Sequence, residues 1–501
     1  MVSSKHSTEL RRLALSVLQP GFVGTEAPDW VLREIRDGLA SVVLFSRNIV
    51  SLEQVALLTG QLRAENPELI IAIDEEAGDV TRIESATGST RPGNLALGTV
   101  DDTELTESVA ADLGRQLRAV GVSLDYAPSA DVNSNPDNPI IGVRSFGADP
   151  KVVSRHTAAW IRGLQSGGVA ACAKHFPGHG DVAVDSHHGL PVYGADRDEI
   201  VTQALPPFRA ALDAGVRAVM SGHLLVPAYD PDLPATLSPR ILGDLLRDEL
   251  GFDGLIVTDA IEMGAVADQF GIEGATVRAV AAGADAVCVG GENAEESMVG
   301  RLAGALVDAV ADGSLTRERL EQAVARVREF ATWSAGLAHA DDGSTAGGDI
   351  GFAAARRAIR LTGAVNATLP LSAAPHVVEL APTTNLAIGK ETPWGVAAPL
   401  SERLPGTTAV RVQRQELQPA TLRACALEPA AGRPLVVVVR DVSRHAWMAD
   451  ALADLIAARP DAIVVEMGLP GTGLSGAVQI FTHGATAASG VAAAEVLTGA
   501  R

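Results

Sequence analysis

The chain has 501 residues, with 40 lysines and arginines against 61 aspartates and glutamates and a net charge of −21. That length predicts two domains rather than one, and an apolar content of 47% supplies core for both. So acidic a chain argues against nucleic acid or an anionic membrane as partner, and no stretch approaches the roughly 18 uninterrupted apolar residues of a membrane span. Three cysteines, Cys172, Cys288 and Cys425, are widely spaced and read as free thiols. With no signal-peptide core at the start, they lead to the expectation of a cytoplasmic protein.

In chain order, eight apolar runs are expected to be strands, at 13–18, 41–45, 69–73, 124–127, 169–173, 218–220, 255–258 and 286–289. Amphipathic stretches at 102–120, 150–166 and 197–214 read as helices between them. Near-continuous apolar strands imply burial on both faces and hence a parallel sheet. Eight such βα units predict an α/β fold, a TIM-type (β/α)8 barrel, with an open doubly wound sheet as the alternative. A helix over 314–333 follows. A Gly-, Asp- and Ser-rich segment then reads as a linker, which places the boundaries at 1–337, 338–352 and 353–501. Runs at 377–380, 435–439, 462–465 and 478–481, with helices at 445–458 and 486–497, predict a smaller α/β sandwich domain. Gly471-Thr472-Gly473 reads as a turn within it.

Polar, reactive residues follow the barrel runs. Arg47-Asn48 follow the second, Asp74-Glu75-Glu76 the third, and Asp131 and Asn133 the fourth. Lys174-His175 follow the fifth, Ser221 and His223 the sixth, and Asp259 the seventh. In a parallel barrel these ends share one rim. The densest window is 174–188, which holds one Lys, four His and two Asp. A metal reading of its histidines fits no ligand spacing, since there is no His-Glu-x-x-His and no Cys pair. Asp185-Ser186-His187 fits an acid–base dyad in which the carboxylate orients the imidazole, and equally an Asx-turn. Asp259 at a strand exit fits a reactive carboxylate or a helix N-cap. His179, Asp181 and His188 read as loop-structuring residues, Glu262 as a helix residue and Trp160 as packing.

The window Lys174-His175-Phe176-Pro177-Gly178-His179-Gly180 followed by Asp185-Ser186-His187 resembles the signature of bacterial β-N-acetylglucosaminidases of glycoside hydrolase family 3. Phe45-Ser46-Arg47-Asn48, the block 74–82, Asp131-Val132-Asn133 with 141–147, and Thr258-Asp259-Ala260-Ile261-Glu262-Met263 extend the resemblance over about residues 10–335. It implies a TIM barrel and a retaining mechanism. Asp259 is then the nucleophile, His187 the acid and then the base, and Asp185 its partner. Asp74, Arg82, Arg144, Lys174 and His175 hold the sugar, with no cofactor and no metal. Glu75 stands where the family usually has Gln, and Ala77 where it has Gly, which bears on substrate choice.

An Asp–His pair suits this chemistry, because reference pKa values of about 3.9 and 6.5 already keep one group ionised while the other is protonated. The Gly-rich loop carrying the dyad is expected to move, with 178–180 as hinge. The expected partner is a small carbohydrate, from peptidoglycan fragments or chitin oligosaccharides. The alternatives are inorganic phosphate as acceptor, in a phosphorylase, or a sugar-binding protein on an inactive barrel. A neutral imidazole in the second step does not repel an incoming anion, as a carboxylate would.

Overall fold

The computed structural model of the protein describes residues 2–187, 189–337, 349–383, 388–389, 392–416, 419–471 and 476–499. It forms two compact units. The first comprises Met1–Glu76, Thr106–Ile141 and Gly147–Gly347, and the second Ala77–Leu105, Gly142–Phe146 and Gly348–Arg501.

The first unit is a TIM-type barrel. Its strands are β1 (Leu18–Pro20), β2 (Ser41–Leu44), β3 (Ile70–Ile73), β4 (Leu124–Asp125), β5 (Ala170–Phe176), β6 (Ala218–Ser221), β7 (Leu255–Thr258) and β8 (Val287–Val289). Parallel pairing runs unbroken from β2 to β7. β8 pairs parallel with β1, and a parallel bridge from Val257 to Ala286 joins β7 to the start of β8. Between β1 and β2, the Ser41 hydroxyl donates to the Leu18 carbonyl at 3.1 Å. Residues two apart, such as Ala170 and Cys172, Ala218 and Met220, or Leu255 and Val257, meet in one buried cluster. That is the inward set of a closed sheet with period two. Helix Arg317–Leu337 adds Val327, Phe330 and Ala331 to it.

Two expected elements differ. The run 13–18 is not a strand, since helix Val2–Ser16 occupies most of it and β1 starts at Leu18. Leu10, Leu13 and Ala14 follow helical spacing, and a three-residue strand leaves little signal of its own. β5 extends through Phe176, so Lys174 and His175 lie on the strand and not after it. Beyond β6, a short hairpin pairs Leu225–Val226 with Asp230–Pro234.

The second unit is a six-stranded sheet of β9 (Arg360–Gly363), β10 (His376–Ala381), β11 (Thr408–Gln413), β12 (Leu435–Val439), β13 (Ile463–Glu466) and β14 (Val478–Phe481). The order is β9-β14-β13-β12-β10-β11, with β9 antiparallel and the rest parallel. Alternate residues feed two cores. Val437, Val439 and Val464 pack with Met448, Leu452 and Leu455 of helix Ala446–Ala458. Val436, Val438 and Ile463 pack with Ala493 and Leu497 of helix Ala487–Thr498. This is a three-layer α/β/α sandwich. The segments 77–105 and 142–146, early in the chain, belong to it: Asp79 pairs with Arg440 at 2.6 Å and accepts the Ala485 N–H at 2.7 Å. Of the expected linker, 338–348 lie outside the described residues, and helix Ile350–Ala358 begins within the remainder. Thr472 and Gly473 of the expected turn also lie outside them. No described helix is long and apolar enough to cross a membrane.

Candidate active site

The carboxyl ends of β3 to β7 gather the barrel's reactive side chains. On β5 the Lys174 ammonium is 2% exposed and lies between two carboxylates. It pairs with Asp74 and, at 2.6 Å, with Glu76. A buried ammonium is tolerable only with such compensation. The Asp74 side chain keeps 23% exposure and so remains open to solvent.

His175, the next residue, is set by Asp131 from the loop after β4. Its Nδ1–H donates to Asp131 Oδ2 at 2.7 Å. Asp131 also accepts the His179 N–H at 2.7 Å and the Ser129 hydroxyl at 3.0 Å. Burial pushes the Asp131 carboxyl up, but His175, its hydrogen bond and His179 outweigh that and hold it below the ordinary range. His179 itself is buried, and burial together with His175 lowers its pKa to about 4, so its ring is neutral.

Asp259 leaves β7 with its N–H on the Ser221 carbonyl at 3.1 Å and its Oδ1 accepting the Ala260 N–H at 2.8 Å. Burial raises its pKa, but His175, His223 and His187 together overcome this and leave the carboxyl below its usual value. A carboxylate kept ionised in an apolar barrel by imidazoles is suited to act as a nucleophile. His223 is fully buried, and burial holds its pKa down. Its Nε2 meets the Ala260 carbonyl at 3.0 Å and its Nδ1 the Thr236 hydroxyl at 2.8 Å. The ring therefore fastens the residue that follows Asp259.

The loop after β5 carries the second carboxylate–imidazole pair. His187 Nδ1 meets Asp185 Oδ1 at 2.7 Å, and the His187 N–H donates to the same oxygen at 2.9 Å. The dyad is partly exposed, at 25% for His187 and 13% for Asp185. The Asp185 contact fixes Nδ1–H, so Nε2 is the nitrogen able to pass a proton outward.

The structure thus gathers Asp74, Lys174, His175, Asp185, His187 and Asp259 in the barrel unit. Arg82 and Arg144 fall in the second unit. Both are nearly buried there, and the Arg144 carbonyl accepts the Asn94 side-chain amide at 2.6 Å. The sequence placed Glu76, Asp131 and His223 on the rim but gave none of them an individual role. Each is a charged or polar residue next to a strand end, and that position was the available signal. Glu262 is in the turn before helix Gly264–Phe270, not in a helix. Its Oε1 accepts the N–H groups of Gly290 at 2.8 Å and Gly291 at 2.6 Å, tying the segment after Asp259 to the end of β8. Trp160 is buried in helix Pro150–Ser166. His188 lies outside the described residues. Among the described residues, no group of three or more His, Cys, Asp or Glu is arranged to hold a metal ion.

The sequence model of the glycosyl hydrolase family 3 N-terminal domain matches residues 25–330, which contain all of these barrel groups. The chain belongs to glycosyl hydrolase family 3. Among its family 3 relatives, beta-hexosaminidase A of Pseudoalteromonas piscicida is 35% identical over 321 residues, 59% of this chain and 54% of that protein. The beta-hexosaminidase of Stenotrophomonas maltophilia strain K279a is 38% identical over 280 residues, 54% of this chain and 82% of that protein. The first match thus spans about half of the relative's length. Among solved structures, a glycoside hydrolase family 3 beta-N-acetylglucosaminidase from Paenibacillus sp. str. FPU-7 superposes with a TM-score of 0.87 at 32% identity, covering 98% of this chain and 96% of that one.

Proposed function

We propose that this family 3 chain is a retaining exo-β-N-acetylglucosaminidase that removes terminal β-linked N-acetylglucosamine from peptidoglycan fragments or chitin oligosaccharides. The observation that carries the reading is Asp259, a carboxylate at the end of β7 held ionised by His175, His223 and His187. The Paenibacillus enzyme is named for the same sugar, and the two curated relatives are named for the wider hexosaminidase activity.

In the first step the Asp259 carboxylate attacks the anomeric carbon. The glycosidic C–O bond breaks, and the His187 imidazolium gives its proton to the departing oxygen. In the second step His187 takes a proton from water, whose oxygen attacks the anomeric carbon and releases Asp259. Asp185 orients the imidazole and stabilises its cation. Asp74, Lys174 and His175 hold sugar hydroxyls, the carboxylate accepting and the ammonium donating. Arg82 and Arg144 are assigned to the sugar by the family resemblance.

The second reading is phosphorolysis, which the imidazole at the acid–base position favours, since once neutral it does not repel phosphate. A panel of β-N-acetylglucosaminides and β-glucosides, assayed with and without phosphate, separates the two. The expected result is free N-acetylglucosamine at a rate that phosphate leaves unchanged. Release of a sugar 1-phosphate would favour the second reading, and cleavage of β-glucosides alone would overturn the substrate assignment.

A further inference from the structure

The loop that carries Asp185 and His187 is fastened at both ends. On its entry side, Asn138 Nδ2 donates to the His179 carbonyl at 2.8 Å, and the Ser134 hydroxyl donates to Asp181 Oδ1 at 2.8 Å. On its exit side, Tyr193 N–H donates to the Leu225 carbonyl at 2.9 Å, and Leu225 N–H donates to the Pro191 carbonyl at 2.8 Å.

Between these anchors, the dyad meets the helix that follows the nucleophile. The Ala265 N–H donates to the Ser186 carbonyl at 3.2 Å. Gly264, the first residue of helix Gly264–Phe270, lies directly against the His187 backbone. A Cβ at Gly264 would stand 3.1 Å from the His187 carbonyl oxygen and 3.3 Å from Asp268 Oδ2. Gly264 is not in a left-handed conformation, so its missing side chain serves the close approach of two backbones and not a turn.

We infer that Gly264 is a positioning residue for the acid–base histidine: its bare backbone lets the 185–187 loop seat on the helix that follows the nucleophile, so that this seat helps set His187 against Asp259. Asp259 and Gly264 are five residues apart, and the latch therefore references the proton donor to the nucleophile without an intervening domain. This inference rests on the roles given above to His187 and Asp259. A Cβ at 264 makes the His187 carbonyl give way by a few tenths of an ångström, a valine by more, and neither touches Asp259 at the end of β7. The effect should therefore fall on proton donation and spare nucleophilic attack. Displacing a catalytic group by about 1 Å costs on the order of 100-fold.

The test compares Gly264→Ala, Gly264→Val and His187→Ala by kcat/KM on two β-N-acetylglucosaminides. One carries a methoxide leaving group, which needs acid assistance, and the other 2,4-dinitrophenolate, which does not. Gly264→Val should lose about 100-fold on the methyl glycoside and less than about tenfold on the aryl glycoside, and Gly264→Ala should show the same split at smaller size. Retained aryl activity shows that the variant has folded, and if the valine variant is inactive on both, the split in the alanine variant decides. Equal losses on both substrates, or no loss on either, would overturn the inference while His187→Ala still shows the split. If His187→Ala shows no split, the role of His187 fails first and takes the inference with it.

Discussion

Both units bury acids at the carboxyl ends of parallel strands, and they treat them in opposite ways. In the barrel, Asp131 and Asp259 are held below the usual carboxylate range although burial alone would raise them, because His175, His179, His187 and His223 surround them. In the sandwich, Glu466 at the end of β13 accepts the N–H groups of Asp441 at 2.8 Å, Gly468 at 2.7 Å and Val442 at 3.1 Å, yet burial and the nearby Asp441 raise its pKa to about 8. Asp79 is raised by burial even with Arg440 beside it. The barrel repeats the contrast internally. Asp125 is raised well above the ordinary value by burial, against the hydrogen bond it accepts from the Glu75 N–H, whereas Asp131 beside the imidazoles is lowered. A carboxylate held below its usual range by neighbouring imidazoles stays ionised near neutral pH, whereas burial without them leaves the acid raised.

The contrast between the two kinds of acid is greatest at Asp259. Asp259→Ala should lower kcat by about 10⁴-fold or more with the melting temperature little changed; near-normal turnover would show that the ionised state serves no nucleophile. His223→Gln tests the cause of the ionisation. Removing one imidazole that lowers the Asp259 pKa should raise it, and the acid limb of kcat/KM should move to higher pH.

Glu466→Gln tests the other side. A folded-state pKa raised from 4.5 to about 8 means the wild-type contribution of Glu466 is fully present below about pH 4.5 and is lost as pH rises towards 8. Urea unfolding between pH 5 and 9 should therefore show a smaller decline in the variant than in the wild type. An unchanged slope would contradict the raised pKa. The smallest expected effect is at Ala77, whose φ of 57° lies in the left-handed region that glycine adopts freely. Ala77→Gly should stabilise the protein by about 1 kcal/mol, read from the same unfolding curves.

The barrel was legible because strands buried on both faces leave apolar runs, and because reactive residues recur at their ends. β1 escaped because three residues carry little pattern beside a helix. β5 was cut short because Lys174 and His175 look like loop residues, and only their pairing with Asp74, Glu76 and Asp131 makes them tolerable inside the strand. Asp131 reaches His175 across 44 residues of sequence, and no local spacing encodes that contact. The membership of 77–105 and 142–146 in the sandwich was equally hidden. It depends on tertiary partners such as Arg440 for Asp79 and helix Ile350–Ala358 for helix Asn94–Val100.

In the proposed mechanism the carboxylate at the end of β7, kept ionised by imidazoles, forms the bond to the sugar. Incubating the protein with a 5-fluoro-β-N-acetylglucosaminyl fluoride, which forms a glycosyl-enzyme quickly and hydrolyses it slowly, tests that directly. Intact-mass and peptide-mass measurements should show one added sugar, on Asp259. A sugar on any other residue, or turnover of ordinary substrate with no trapped adduct, would contradict the account.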